Sequence, residues 1–231
     1  MTTNEFSNEF DTLIQSYIQK IDFGNVNTLA FDEYEKSVFL TKAQEEIVLN
    51  IYKGVGEFDS FENSEQSRRL LSSLIETIEL SPIESVYNTP ISKNSYFIQL
   101  PDDLMSITYE AVLFDSTTFT CGKDKFIPVA ITSQDELHRI LENPFRRNSN
   151  NRVLRLDINN NSIEIISTYK IAKYIIRYIR IPSPILLVDL PDDLSINGKT
   201  TKSECELNPS LHRKILEKAV SLAISSKNIN K

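Results

Sequence analysis

Cysteine, glycine and histidine are all scarce in this chain, and each shortage removes a class of chemistry. Two cysteines, Cys121 and Cys205, are too few for a disulfide framework and lack the spacing of a zinc site, so both are expected as reduced thiols. Five glycines leave little from which to build a phosphate-cradling loop. Gly54-Val55-Gly56 lacks a third glycine and follows a helical pattern instead of a strand, so it fails the dinucleotide fingerprint. The two histidines, His138 and His212, sit in the charged helical contexts Glu-Leu-His-Arg and Leu-His-Arg-Lys. Neither stands in a catalytic or metal-binding motif, and both are expected on exposed helix faces. No run approaches the roughly 18 apolar residues of a membrane span. Residues 1–10 have no basic and no apolar stretch, and no signal peptide is expected. The acidic residues form no set spaced for two-metal or glycosidase work. Catalysis and a bound cofactor are therefore not expected.

What remains is 231 residues, 40% hydrophobic and 25% charged, ample for a packed core. Net charge is −7, a poor total for bulk electrostatic binding of DNA. The distribution carries more information than the total. Residues 1–80 sum to −9, 81–138 to −5, 139–180 to +6 and 181–231 to +1. An acidic N-terminal part thus coexists with a basic later segment, a pattern that lets copies stack on one another. Solvated faces with chance clustering are the plainer reading.

Periodicity divides the chain. Phe6, Phe10, Leu13, Tyr17 and Ile21 recur every three or four residues, an amphipathic helix ended by Gly24 and Asn25–Asn27. Asp32–Phe39 reads as a short helical turn. A second helix is expected from an N-cap at Thr41, with Ile47, Val48, Ile51 and Tyr52 on one face and Gly54 as its C-terminal stop. A third is expected from Asn63 or Ser64, carrying Leu70, Leu71, Leu74, Ile75 and Ile78 up to Pro82. From about residue 90 the period becomes two. Strands are expected at Tyr96–Leu100, Ile107–Phe114, Phe126–Ile131, Arg152–Ile158, Ile163–Ile166 and Ile171–Ile181. A helix over Ser133–Asn143 interrupts them, capped by Ser133 with Glu136 in the capping box. Turns are expected at Asn148–Asn151 and, between two strands, at Asn159–Asn161. Asn208 as N-cap and Pro209 at the first helical position start a last helix with Leu211, Ile215, Ala219 and Leu222 buried. The fold class is α+β: a helical bundle of N-terminal helices plus the C-terminal helix, with an inserted, mainly antiparallel β region. The parts fall at 1–90, 91–200 and 201–231.

Leu100-Pro101-Asp102-Asp103-Leu104 recurs letter for letter as Leu190-Pro191-Asp192-Asp193-Leu194. Paired aspartates can hold a hard cation, but Pro followed by Asp-Asp more simply starts a turn. Cys121-Gly122-Lys123-Asp124-Lys125 places a thiol near two amines, or is a hairpin turn with an incidental cysteine. The basic segment concentrates Arg139, Arg146, Arg147, Arg152 and Arg155 among small polar residues. Lys173 and Arg177 share the outer face of the strand expected at 171–181. These seven are the candidate contacts to another subunit or to a DNA backbone. Phe145 is the only aromatic within the arginine cluster, too few for single-strand reading.

Phe31-Asp32-Glu33-Tyr34-Glu35-Lys36-Ser37-Val38-Phe39-Leu40-Thr41-Lys42-Ala43-Gln44-Glu45-Glu46-Ile47-Val48 resembles the N-terminal signature of a structural protein of crAss-like and related tailed bacteriophages. So do Phe61-Glu62 and Arg68-Arg69-Leu70-Leu71. The ending from Glu206 to Val220, with Asn208-Pro209 at its centre, is similar to the last helix of podovirus head-to-tail adaptors, and the Leu-Pro-Asp-Asp-Leu elements fit that group. The resemblance implies a virion structural protein at the portal vertex, made in the host cytoplasm. It would be a connector ring, typically of twelve copies, lying below the portal and above the next tail component. It would extend the channel for genomic DNA, without cofactor, membrane or catalysis. A different stacked collar ring, or a non-enzymatic module that grips DNA backbone, is the alternative.

Overall fold

The computed structural model describes residues 1–21, 30–83, 95–117, 125–159, 161–191 and 193–228. Content is mixed α and β, in two compact units: Met1–Leu74 with Ile181–Lys231, and Ile75–Arg180.

In the first unit, helices α1 (Thr3–Ile21), α2 (Glu33–Lys53) and α5 (Pro209–Asn228) pack on one another. Phe6, Phe10 and Ile14 carry the buried stripe of α1, whereas Tyr17 is 46% exposed. The expected stop at Gly24–Asn27 lies outside the described residues. Helix α2 differs from expectation at its start. Asp32, not Thr41, is the N-cap: its carboxylate accepts from Glu35 N at 2.7 Å, and Glu35 Oε2 accepts from Asp32 N at 3.2 Å. This reciprocal pair satisfies two of the donors that a helix start leaves open. The expected short turn at 32–39 is therefore the beginning of one long helix. Gly54 ends it at φ 70°, as the pattern implied. There the chain doubles back so tightly that a Cβ on Gly54 would stand 2.5 Å from Ser60 N.

Thr41 lies mid-helix and is buried because it does tertiary work. Its Oγ1 accepts from Ile185 N at 3.1 Å. Ser37 Oγ accepts from Leu187 N at 3.0 Å, and Gln44 Nε2 donates to Ser183 O at 2.7 Å. Residues 37, 41 and 44 follow one helix face, while 183, 185 and 187 are alternate residues of an extended chain. Two residues of strand advance about 6.6 Å and one helical turn about 5.4 Å, so the two ladders nearly match. Gln44 Oε1 also accepts from Cys205 Sγ at 3.3 Å. Lys36 joins α1 to α2 through Asp11 (2.7 Å) and Glu33 (3.0 Å). Burial opposes its charge, but hydrogen bonds to the two carboxylates outweigh this and hold its pKa above the ordinary value. On α5, Asn208 Oδ1 accepts from Ser210 N at 3.0 Å, the expected cap ahead of Pro209.

His212 corrects another expectation: it is buried, not exposed. Its ring packs 5.5 Å from Phe6, Nδ1 accepts from the Met1 ammonium at 2.6 Å, and Nε2 donates to Leu207 O at 3.0 Å. Its neighbours Leu211, Ile215 and Leu216 lie on the same buried side of α5. His138 is exposed.

The expected third helix is cut short. Ser64 caps α3 (Glu65–Leu70), and a 3-10 turn at Ser72–Leu74 follows. Ile75–Leu80 is then strand β1, opening the second unit. Spacing of 75 and 78 imitates a helix, but pairing with β7 (Ile171–Arg180) decides the state. The remaining strands are β2 (Ser95–Gln99), β3 (Leu104–Phe114), β4 (Phe126–Ile131), β5 (Val153–Asn159) and β6 (Ser162–Ile166).

Among the described residues the seven strands form one curled sheet in the order β1-β7-β3-β4-β5-β6-β2. Every pairing is antiparallel except β4 with β5. Just beyond β1, Ile83 donates to Phe97 O on β2 at 2.8 Å, so the two edges meet. Alternation along β7 puts Tyr174, Ile176 and Tyr178 inside with Val112, Phe114, Ile127, Val153 and Ile163, and leaves Lys173 and Arg177 outside. Helix α4 (Leu137–Glu142) covers the outward Leu154 and Leu156 with Leu137 and Ile140. It is shorter than 133–143, and Glu136 at its N-cap makes no side-chain cap. Ser133 instead hydrogen-bonds Asp135, holding that carboxyl below the usual range. The first Pro-Asp-Asp copy is a turn, with Leu104 N donating to Pro101 O at 3.3 Å; in the second, Leu194 N donates to Pro191 O at 2.9 Å, and Asp192 lies outside the described residues.

Candidate functional site

The parallel step from β4 to β5 needs a crossover, and the sequence spends residues 132–152 on it. After α4 the chain turns at Asn143, whose carbonyl accepts from Arg146 N (3.1 Å) and Arg147 N (3.0 Å). Its side chain also accepts from Phe145 N at 2.9 Å. A second turn follows, in which Ser149 N donates to Arg152 O at 2.8 Å. Together these turns form a tip that begins at Asn143 and returns to the sheet at Arg152. Arg152 holds the tip together by donating from Nη1 to Phe145 O at 3.2 Å. The tip leaves Phe145 at 90% exposure.

The seven basic residues separate by environment. Arg146, Arg147 and Arg152 are exposed on this tip, and among the described residues no acidic side chain forms an ion pair with them. Arg139, on α4, pairs with Glu136 one turn back. On the outer face of β7, Lys173 lies 2.6 Å from Glu79, and Arg177 Nε donates to Thr77 Oγ1 at 3.1 Å. Glu79 on β1 thus pairs with the Lys173 charge, whereas Thr77 anchors Arg177 through one of its donors and leaves its charge unpaired by it.

Arg155 is not a surface residue. It points into the sheet interior, 7% exposed, where Nη1 donates to Glu110 Oε2 at 2.9 Å. Tyr174 OH donates to the same oxygen at 2.6 Å. Nε lies 3.0 Å from Asp157 Oδ1, close enough for attraction but without hydrogen-bond geometry. Burial works against the guanidinium, yet Glu110 and Asp157 together keep its pKa above the ordinary value. Burial first, and then the Glu110 charge, push the Tyr174 phenol far up. Strand alternation causes this placement, because Arg155 follows Val153 on the inward side of β5. A partner on β3, 45 residues away, is invisible to a local reading.

The remaining side chains with reactive potential are enclosed or dispersed. Burial pushes the Cys205 thiol up to about 11, which suppresses the thiolate. Cys121 lies outside the described residues. Among the described residues no group of three His, Cys, Asp or Glu side chains could hold a metal ion, and no helix is long and apolar enough to cross a membrane. What the surface offers is contact: an aromatic ring flanked by uncompensated arginines on an otherwise acidic chain. Local sequence disclosed the arginines, whereas the exposure of Phe145 follows from the turn at Asn143.

The profile of the family described as phage tail ring protein 3/4 matches residues 1–231. Ring protein 3 of Bacteroides phage crAss001 is 48% identical over 229 residues, covering 98% of this chain and 96% of that protein. Ring protein 4/5 of the same phage is 36% identical over 233 residues, covering 96% and 92%. Matches that run nearly end to end embrace both units and the tip between β4 and β5. The chain belongs to the phage tail ring protein 3/4 family, structural proteins of the tailed-phage virion.

Proposed function

We propose that this chain forms one ring of the collar that joins the portal vertex to the tail, extending the channel through which genomic DNA leaves the head. Twelve copies around the axis would match the portal above and the next ring protein below. One observation carries this reading. Two proteins of a single phage, named for different rings, are both similar to this chain over nearly its whole length. Differently named ring proteins of one phage that are both similar to this chain support a reading in which related subunits build successive rings of a stack. Charge supports it as well. A basic tip and an acidic remainder give each copy two unlike faces, and unlike faces close a ring through head-to-tail contacts. Net charge of −7 also disfavours adhesion to the passing duplex.

Electron microscopy of the phage particle, with subunits assigned in the collar, tests the proposal. A ring of this chain on the tail axis is expected, and deletion of its gene should leave filled heads without tails. Infectious, joined particles that lack the chain would refute it.

A further inference from the structure

We infer that the Phe145–Arg152 tip docks on a second copy of this chain, at the acidic turn between α2 and α3. This rests on the ring reading and names the surfaces that would close it.

The tip is built like the centre of a protein contact. Phe145 is 90% exposed, far beyond the other large apolar side chains among the described residues, of which Ile131 at 66% comes next. Exposing a whole ring to water forfeits roughly 2 kcal/mol of apolar burial, which a partner surface recovers. Aromatic and arginine side chains at a centre, with polar groups around them, are the composition that concentrates binding energy. The two turns at Asn143 and Ser149 fix the tip in place, so little entropy is lost on docking. A duplex backbone would use the arginines but would leave the phenyl ring in solvent.

The partner must be acidic with an apolar spot. Removing the three tip arginines from a net charge of −7 leaves −10 for the rest of the chain, so a second copy is itself an acidic partner. On it, the turn after Gly54 combines Val55, 51% exposed, with exposed Glu57, Asp59 and Glu62. Glu57 is taken by Lys214 at 2.6 Å. Asp59 and Glu62 form no ion pair among the described residues, which leaves two free carboxylates for Arg146 and Arg147. This turn is also rigid: Phe61 N donates to Tyr52 O at 3.3 Å, Ser67 Oγ to Asp59 O at 2.6 Å, and Arg68 Nη1 to Glu62 O at 2.8 Å. An aromatic ring over Val55, with two arginines on Asp59 and Glu62, would pair apolar with apolar and charge with opposite charge.

The test uses the full chain in low salt, with self-association followed by sedimentation up to about 1 mM, where even a contact of millimolar affinity is more than about one-third formed. Wild type is expected to associate. R146E/R147E should weaken association by at least roughly 30-fold and F145A by at least roughly tenfold. Adding D59K/E62K to R146E/R147E should restore it to within about threefold of wild type, because the swapped charges again meet. Circular dichroism checks that every variant is folded. A folded wild type that stays monomeric, an unaffected R146E/R147E, or absence of the rescue would each overturn the inference. A 30-base-pair duplex whose salt-sensitive binding vanishes in R146E/R147E, without loss of self-association, would assign the tip to DNA instead. A collar ring whose tips stand free in a particle map would sink this inference alone, whereas a particle without such a ring sinks the ring reading.

Discussion

Glu110 and Arg155 offer a sharp test of how the sheet interior is held. Their side chains are 10% and 8% exposed and lie 2.9 Å apart. At an effective dielectric near 20, attraction at that distance is about 6 kcal/mol. Desolvation costs several kcal/mol for each ion, so the pair as a whole contributes close to nothing. Removal of one partner is a different matter, because it strands the other charge. Glu110→Leu leaves Arg155 only Asp157, which is 60% exposed, and leaves Tyr174 OH without its acceptor. The expected cost is about 3–5 kcal/mol. Arg155→Met leaves Glu110 with a single phenol donor and should cost a similar amount. The double variant removes both charges and strands only the Tyr174 hydroxyl, so it should cost about 1–3 kcal/mol, well below the sum of the singles. Urea unfolding of the four proteins, followed by circular dichroism, yields the coupling directly. In thermal melts of the same proteins each kcal/mol moves the midpoint of a chain of this size by about 2–4 °C, so either single variant should melt roughly 10 °C low. Single costs below about 1 kcal/mol, or a double variant as damaged as the sum of the singles, would refute the reasoning.

Three further outcomes follow from the helical unit. Thr41→Val strands the buried Ile185 N–H and should cost about 1–3 kcal/mol in denaturant titration; a neutral effect would show that the helix–strand ladder is not structural. Gly54→Ala forces an L side chain to φ 70° against Ser60 N and should cost about 2 kcal/mol, whereas Ser60→Ala should be mild. His212 titrates below its ordinary pKa of 6.5, chiefly because burial disfavours the imidazolium. The unfolded chain therefore binds the proton first as pH falls. The stability that the neutral ring supplies is complete above 6.5 and declines below it, down to the folded-state pKa. Unfolding free energy should fall between pH 7.5 and 5.5 in wild type, and His212→Leu should flatten that part of the profile. An unchanged slope in the variant would assign the acid sensitivity to other groups.

How much the sequence discloses depends on the distance over which each signal acts. The Asn208-Pro209 start of α5, the Gly54 stop of α2 and the turn at Leu100–Leu104 rest on residues within four positions of each other. Alternation alone places Tyr174, Ile176 and Tyr178 together inside and Lys173 with Arg177 outside, because strand geometry admits no other arrangement. The arginines of the candidate site are legible as a cluster for the same local reason. Thr41 shows where local reasoning ends: it looks like a helix start, but its hydroxyl serves Ile185, 144 residues away. Ile75 and Ile78 keep a helical spacing that pairing with β7 overrides.

By itself, the sequence determined the two periods, the caps, the turns and the charge asymmetry, since each is settled by neighbours along the chain. Only the tertiary structure decided the surroundings of charges whose partners lie far along the chain. It drew Arg155 inward to Glu110 and His212 under α1, and left Arg146 and Arg147 outside with Phe145. Arg155 goes inside because a distant strand supplies its counter-charge, and no window of local sequence contains that strand.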